Sequence, residues 1–80
     1  MKREDVYKII DSEREYQDNK WGGNLHDRNH SVESWMIYMQ HYLTKAIAAI
    51  STQNGVLGGL EELRKVTSLG IACFESLDGT

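Results

Sequence analysis

Proline is absent from this 80-residue sequence, cysteine occurs only once, and no stretch shows the polar–apolar alternation of a half-buried β-strand. The single cysteine, Cys73, excludes an internal disulfide and is typical of proteins from a reducing cytosol. Apolar runs such as Ala46–Ile50 are far too short to cross a membrane, and the charged residues directly after Met1 indicate that no signal peptide is present. These absences favour a cytoplasmic all-α protein with no membrane partner.

Length and net charge narrow the function classes further. A chain of 80 residues predicts a single domain, residues 1–80, which buries only about 60 % of its unfolded surface and gains little net stability from its core. We therefore expect self-association, as a homo-oligomer, to supply additional stability. The net charge of −3 argues against a nucleic-acid polymer as partner, although it allows a local pocket for one small anion.

The stretch from Ser31 to Thr52, here called the spine helix, organises the chain. Only Lys45 is charged between Ser34 and Leu60. Apolar residues recur here at alternating spacings of four and three, the period of one helix face: Val32, Met36, Met39, Leu43, Ala46 and Ile50. A neighbouring stripe is formed by Trp35, Tyr38, Tyr42 and Ala49. Two adjacent stripes predict a long central helix that contacts neighbours on both sides.

Two further helices complete a predicted three-helix bundle. The first is polar, runs from Lys2 to about Asn19, and ends where Trp21 is followed by paired glycines. Ser31 is a suitable N-cap for the spine helix. Paired glycines at 58–59 delay the third helix, which is predicted from Glu61 to about Leu77. Its predicted inward face consists of Leu60, Leu63, Val66, Thr67, Gly70, Phe74 and Leu77.

A dense polar run from Glu13 to Gly22 is the first candidate site. Trp21 offers a flat face for stacking on a base, and Lys20 and Arg14 are suited to holding phosphates. Two structural alternatives remain open. In the first, Trp21 fills the open end of the bundle and the charged side chains of the run face solvent. The second concerns Glu13, whose side chain lies either at the rim of the core or in a site.

Two other clusters have functional and structural interpretations. His26, Asp27 and His30 are a conceivable metal half-site, but their spacing matches no zinc pattern, so we predict a loop and no metal. Arg64 and Lys65 form either an anion site or helix-surface pairs with the preceding acids at 61–62. No nucleophile elbow, P-loop or CxxC motif is present.

Three segments resemble small phage-encoded proteins described as MazG-like. They are E-R-x-Y-Q-D-x-K-W-G from Glu13, H-S-V-x-x-W from His30, and L-R-K-V-T-x-L-G-x-A-C-x-E from Leu63, so the similarity covers most of the chain. The wider MazG family consists of all-α nucleoside triphosphate pyrophosphohydrolases, which act as dimers or tetramers. They bind Mg²⁺ through E-x-x-E on one helix and E-x-x-D on the next. The resemblance implies a MazG-like bundle, a dimer or tetramer, and a nucleotide ligand.

This sequence departs from the family pattern at the metal ligands. No E-x-x-E lies on the spine helix, and where Glu62 matches the glutamate of E-x-x-D, the aspartate position is Lys65. An ammonium at that position suits holding a phosphate better than hydrolysing it. We therefore predict no catalytic residues and no cofactor.

The leading interpretation is a non-catalytic, oligomeric nucleotide-binding protein in the cytoplasm of an infected bacterium. By analogy with known phage proteins, it is a sponge that sequesters a nucleotide signal of bacterial immunity, such as those of CBASS or Thoeris. Tyr16 or Trp21 is expected to stack on the base, and four basic residues are expected to hold phosphates. The predicted ligand-binding residues are Arg14, Tyr16, Lys20, Trp21, His30, Tyr42, Arg64 and Lys65.

Two alternatives belong to other classes of protein. The first is a Mg²⁺-dependent pyrophosphohydrolase with an unusual acid set, consisting of Glu13, Glu33, Glu61 and Glu62. The second is a protein–protein interaction module whose aromatic stripe binds a host helix. That module would have no nucleotide affinity and would leave Trp35 and Tyr38 exposed.

Overall fold

A computed structural model describes residues 1–22, 30–52 and 55–78, and three α-helices lie in these ranges. They are α1 (Arg3–Trp21), α2 (Val32–Ile50) and α3 (Gly55–Asp78). The described residues contain no β-strand, so the prediction of a small all-α, three-helix bundle is confirmed. None of the three helices has the long apolar segment that crossing a bilayer would require.

Local signals fix two of the helix ends as predicted. Gly22 adopts a left-handed conformation, with φ of 89°, and its N–H donates to the carbonyl of Asp18 at 3.0 Å, which closes the end of α1. At the start of α2, the hydroxyl of Ser31 accepts a hydrogen bond from the backbone N–H of Ser34 at 3.1 Å. The N-cap and C-cap interpretations of these residues are therefore confirmed.

The start of the third helix differs from the prediction. Helix α3 begins at Gly55, about six residues before the predicted start at Glu61, so the glycine pair lies inside the helix. A Cβ atom on Gly59 would lie 3.0 Å from Cγ1 of Ile50 and 3.2 Å from the carbonyl oxygen of Ala46. This glycine therefore serves the close approach of α3 to α2 and does not break the helix.

A long central helix is present, but it is α3 and not the spine helix. Helix α3 packs extensively against α2 and less extensively against α1, whereas α1 and α2 scarcely touch. The reason is that α3 carries partners for both neighbours. Leu69 and Ala72 form the buried core cluster with Trp35 of α2, and Arg64 pairs with Glu13 of α1. The prediction that α2 has neighbours on both sides is wrong for the isolated chain.

The predicted inward face of α3 is also wrong. Leu60, Leu63, Phe74 and Leu77 are 43–75 % exposed, and the buried positions are instead Ser68, Leu69, Ala72 and Ser76 together with Gly59. The two serines are tolerated inside because their hydroxyls donate to backbone carbonyls of the same helix, those of Arg64 and Cys73. Because these two serines are polar, the pattern of apolar residues in the sequence did not show that this face of α3 is buried.

Two of the glycines in α3, Gly59 and Gly70, should respond oppositely to alanine. At Gly70 a Cβ atom would meet only Cε of Met39, at 3.4 Å, so Gly70→Ala should raise the free energy of unfolding by about 0.5–1 kcal/mol through helix propensity. At Gly59 the backbone carbonyl of Ala46 cannot move aside without separating the helices. Gly59→Ala should therefore lower that free energy by about 1 kcal/mol. Urea unfolding of both variants at one protein concentration measures the difference, and equal shifts would contradict the close contact at Gly59.

Candidate functional site

An aromatic cavity lies where the three helices meet. Its volume is about 230 Å³, and its wall is formed by Trp21, His30, Trp35, Tyr38, Tyr42 and Leu69. The last turn of α1, the first half of α2 and the middle of α3 each contribute to this wall. Three of the predicted ligand-binding residues, Trp21, His30 and Tyr42, are thus brought together.

The rings of the wall pack edge to face. The His30 ring centroid lies 5.2 Å from that of Trp35 and 5.2 Å from that of Tyr38, with interplanar angles of 71° and 86°. Trp35 and Tyr38 meet at 6.5 Å and 78°. Such T-shaped contacts are favourable, and they hold the rings in fixed orientations. The cavity is therefore a preformed apolar site, suited to a flat ring system.

One polar group in this wall lacks a hydrogen-bond partner. Trp35 is 2 % exposed, and its buried indole Nε1–H has no acceptor among the residues that the structure describes. A buried donor without a partner costs about 1–3 kcal/mol, and native proteins contain few such groups. A ligand in the cavity that presents an acceptor to this N–H would recover that energy.

Three ammonium groups lie close to the aromatic rings at this end of the molecule. Lys65 Nζ is 5.7 Å and Lys45 Nζ is 5.3 Å from the ring centroid of Tyr42. Lys20 Nζ is 5.8 Å from the ring of Trp21 and 5.9 Å from that of Tyr16. Each distance is within the range of a cation–π interaction. An apolar cavity with a cationic rim results, in a protein whose net charge is −3.

A more open, polar groove adjoins the cavity. Its volume is about 560 Å³, and it is lined by Ile9, Ser12, Glu13, Tyr16, Glu61, Arg64 and Lys65. Lys65 links the two sites, because it lines the groove while its ammonium lies near Tyr42 in the cavity wall. Three more predicted residues, Tyr16, Arg64 and Lys65, therefore gather here.

Both cations of the groove are already engaged in ion pairs. Arg64 Nε donates to Oε1 of the buried Glu13 at 3.0 Å, and Lys65 Nζ donates to Oε1 of Glu62 at 3.3 Å. Glu13 thus points towards the groove, and the helix-surface alternative holds for Lys65 with Glu62. Arg64 and Lys65 are each more than one third exposed, so an anion in the groove can reach both side chains, while the Glu13 partner of Arg64 is itself buried.

Arg14 lies apart from both sites, in the contact between α1 and α3. Its side chain is 8 % exposed, and Nη2 donates to Asp18 at 3.0 Å and to Glu75 of α3 at 2.9 Å. Nη1 donates to the amide oxygen of Gln17 at 3.0 Å. Two carboxylates thus hold the guanidinium that the sequence analysis assigned to a phosphate. The geometry favours a structural role, which fastens α1 to the central helix.

The sequence analysis missed three wall residues and one cation. Trp35 and Tyr38 were assigned to the second apolar stripe of the spine helix, and only the interaction-module alternative expected both to be exposed. Tyr38 is 42 % exposed, but Trp35 is buried against Leu69, which contradicts that alternative at Trp35. Lys45 was noted only as an interruption of the stripe. A single charge within a long apolar and aromatic segment was the available signal for it. Nothing in the hydrophobic pattern marked Leu69 as a wall residue.

The structure describes only part of the proposed metal half-site but all four acids of the hydrolase alternative. His26 and Asp27, two members of the proposed half-site, lie outside the described residues. Within residues 1–22, 30–52 and 55–78, no three His, Cys, Asp or Glu side chains lie close enough together to hold a metal ion. The four acids of the hydrolase alternative therefore do not form such a cluster there.

No protein-family description, no curated protein and no solved structure matches the chain.

Proposed function

We propose that this protein binds a nucleotide without cleaving it, as a homo-oligomer, and that it is a phage sponge for a nucleotide signal of bacterial immunity. The nucleotide proposal rests on one observation, that aromatic rings and ammonium groups occur together at one site. An aromatic cavity lined by Trp21, Trp35 and Tyr42 has ammonium groups within 6 Å of its rings. A base stacks on aromatic side chains, while cations attract its phosphates. The resemblance to small MazG-like phage proteins supports a nucleotide ligand, and the sponge role rests on analogy with phage proteins that hold nucleotides without cleaving them.

The size of the cavity limits what enters it. Sites that enclose a whole drug-sized ligand measure about 300–1,000 Å³, and this cavity, at about 230 Å³, is smaller. It therefore suits one ring system, with the sugar and phosphates outside. Lys65 and the groove with Arg64 lie next to the cavity, so the phosphates extend in that direction. Trp21, Tyr42 and His30 then contact the base, and Tyr16 and Lys20 lie beside the sugar and phosphates.

A retention assay tests the proposal directly. The purified protein is mixed with canonical triphosphates, cyclic di- and trinucleotides and cyclic ADP-ribose isomers, with and without Mg²⁺, and then filtered. We expect one nucleotide to disappear from the filtrate and to return intact when the retained protein is heated. Retention of none of them would contradict nucleotide binding, and chemical conversion of the retained nucleotide would contradict the sponge.

One observation favours hydrolysis as a second candidate function. Oε2 of Glu62 is buried and has no hydrogen-bond donor among the described residues, and such a carboxylate oxygen is suited to a cation. The same assay distinguishes this candidate, because a triphosphate would become a monophosphate only in the presence of Mg²⁺. In that case Glu62 would be the first acid to replace.

The unpaired N–H in the wall gives a sharper prediction. Trp35→Phe removes the donor and keeps an aromatic ring, so the affinity for the retained nucleotide should fall about tenfold, the effect of one lost hydrogen bond. Trp21→Phe makes the same change in a second ring of the wall and should cost less. Titration calorimetry of both variants measures the two affinities. Equal losses would show that ring area, and not the Trp35 N–H, determines binding.

A further inference from the structure

We propose that one side of the α2–α3 hairpin is the self-association surface of this protein, and that it docks against the identical surface of a second copy. This surface, here called the hairpin face, is a groove between the second half of α2 and the first half of α3. Its walls are Leu43, Ile47, Ile50, Val56, Leu60 and Leu63. The inference rests on the homo-oligomer of the proposed function and locates its contact surface, and it holds whether or not a nucleotide binds in the aromatic cavity.

The hairpin face has the composition of a core although it lies on the surface. All the residues that line it are apolar, and its floor is formed by Ala46 and Gly59, where the two helices are in close contact. Its walls are nevertheless exposed, with Ile47 at 63 % and Leu60 at 54 %. The stripes predicted to be buried in α2 and α3 meet at this groove. The pattern thus indicates burial that the single chain does not provide.

The chain exposes more surface than is usual for a compact monomer of its mass. A compact monomer of 9.2 kDa exposes about 4,900 Å², whereas this chain exposes 5919 Å². The excess, about 1,000 Å², is close to the roughly 800 Å² that each partner buries in a standard protein–protein interface. The chain thus exposes more surface than a compact monomer of its mass, by about the area that one partner contributes to a standard interface, and the hairpin face is a wholly apolar part of that surface.

The shape and charge of the face favour a second copy over other occupants. A two-fold interface brings the same patch together from both subunits, so it needs ridges and a groove on one surface. The hairpin face has both, since its walls stand above a floor of small residues. A membrane surface is a poorer partner, because interfacial helices carry Lys and Arg around the apolar face and this protein is acidic. Two hairpins packed face to face would form a four-helix core.

Ile47 and Ile37 provide a matched pair of variants. Both are isoleucines of α2 with almost equal exposure, 63 % and 64 %, but only Ile47 lines the groove. Ten residues apart on a helix, they point in directions that differ by about 80°. Ile47→Glu places a charge in the proposed interface. It should raise the dimer dissociation constant at least thirtyfold, the effect of losing a central interface side chain. Ile37→Glu should leave the dissociation constant unchanged.

Sedimentation equilibrium over a wide range of protein concentrations tests the proposal. We expect the native protein and the Ile37→Glu variant to have at least twice the monomer mass, and Ile47→Glu to dissociate at concentrations where they do not. If Ile47→Glu unfolds, the thermal midpoint of the native protein should still rise with protein concentration, as for any folded oligomer. A native monomer at every concentration would overturn the proposal, and so would selective dissociation by Ile37→Glu.

Discussion

Leu69→Ala is expected to leave much of the protein unfolded at room temperature. Leu69 is 2 % exposed and belongs to the buried core cluster with Trp35 and Ala72. Truncation of a buried leucine to alanine costs about 2–5 kcal/mol. A single core in a domain this small supplies only about 3–5 kcal/mol of net stability. The loss is therefore comparable to the whole stability of the chain, because few other apolar side chains in the described residues are fully buried.

A second leucine of the same helix provides the control. Leu77 is about half exposed, so Leu77→Ala should lower the free energy of unfolding by less than about 1 kcal/mol. Urea unfolding followed by far-UV circular dichroism, at one protein concentration, compares the two variants with the native chain. Similar midpoints for Leu69→Ala and Leu77→Ala would show that the core does not centre on Trp35 and Leu69.

The helices and two of their ends follow from local sequence, which explains why they were predicted correctly. A serine before an apolar stripe and a glycine after a polar helix act within a few residues, so Ser31 and Gly22 required no knowledge of the tertiary structure. Gly59 is also a glycine, but it lies inside a helix and does not end one. Its role depends on Ile50 and Ala46 across the helix contact, which no local rule can detect.

The choice of buried face was the harder problem, because apolar stripes indicate burial without naming the partner. In α3 the core position Leu69 lies next to Ser68, and the more apolar stripe through Leu60 and Leu63 is exposed in the single chain. If that exposed stripe packs against a second copy, the stripe with Leu69 is buried within the chain and the stripe with Leu60 and Leu63 is buried between chains. The sequence then encodes two apolar contacts, one within the chain and one between chains.

The candidate site was predicted in part, since residue chemistry is visible in a sequence but convergence is not. Trp21 and Tyr42 are far apart along the chain, and the fold places both rings in one wall. Arg14 shows the opposite case. Its charge suited a phosphate, but in the structure its guanidinium donates to the carboxylate of Glu75, which lies sixty-one residues later in the chain. Long-range ion pairs of this kind leave no periodic signal in the sequence.

Replacing Lys20 and Lys65 together by glutamine should lower the affinity for the retained nucleotide at least about a hundredfold. Each ammonium lies within 6 Å of an aromatic ring near the cavity, at Trp21 and at Tyr42 respectively. A charged hydrogen bond to a phosphate contributes about 1.5–3 kcal/mol, which corresponds to roughly tenfold to a hundredfold in affinity for each lysine. The fold should persist, because Lys20 is exposed and the pair between Lys65 and Glu62 is partly solvated.

The matched control removes the same charge elsewhere. Lys2→Gln with Arg3→Gln changes two exposed cations at the start of α1, about 20 Å along the helix from Tyr16. Calorimetry should show nearly native affinity for this control, and the corresponding nucleoside should bind all three proteins equally. Equal losses of affinity in both charge variants would mean that only the overall electrostatic field of the protein attracts the ligand. A loss of nucleoside binding would mean that the lysines support the cavity itself. Only a loss confined to the phosphate-bearing ligand and to Lys20 and Lys65 assigns these ammoniums to the phosphates.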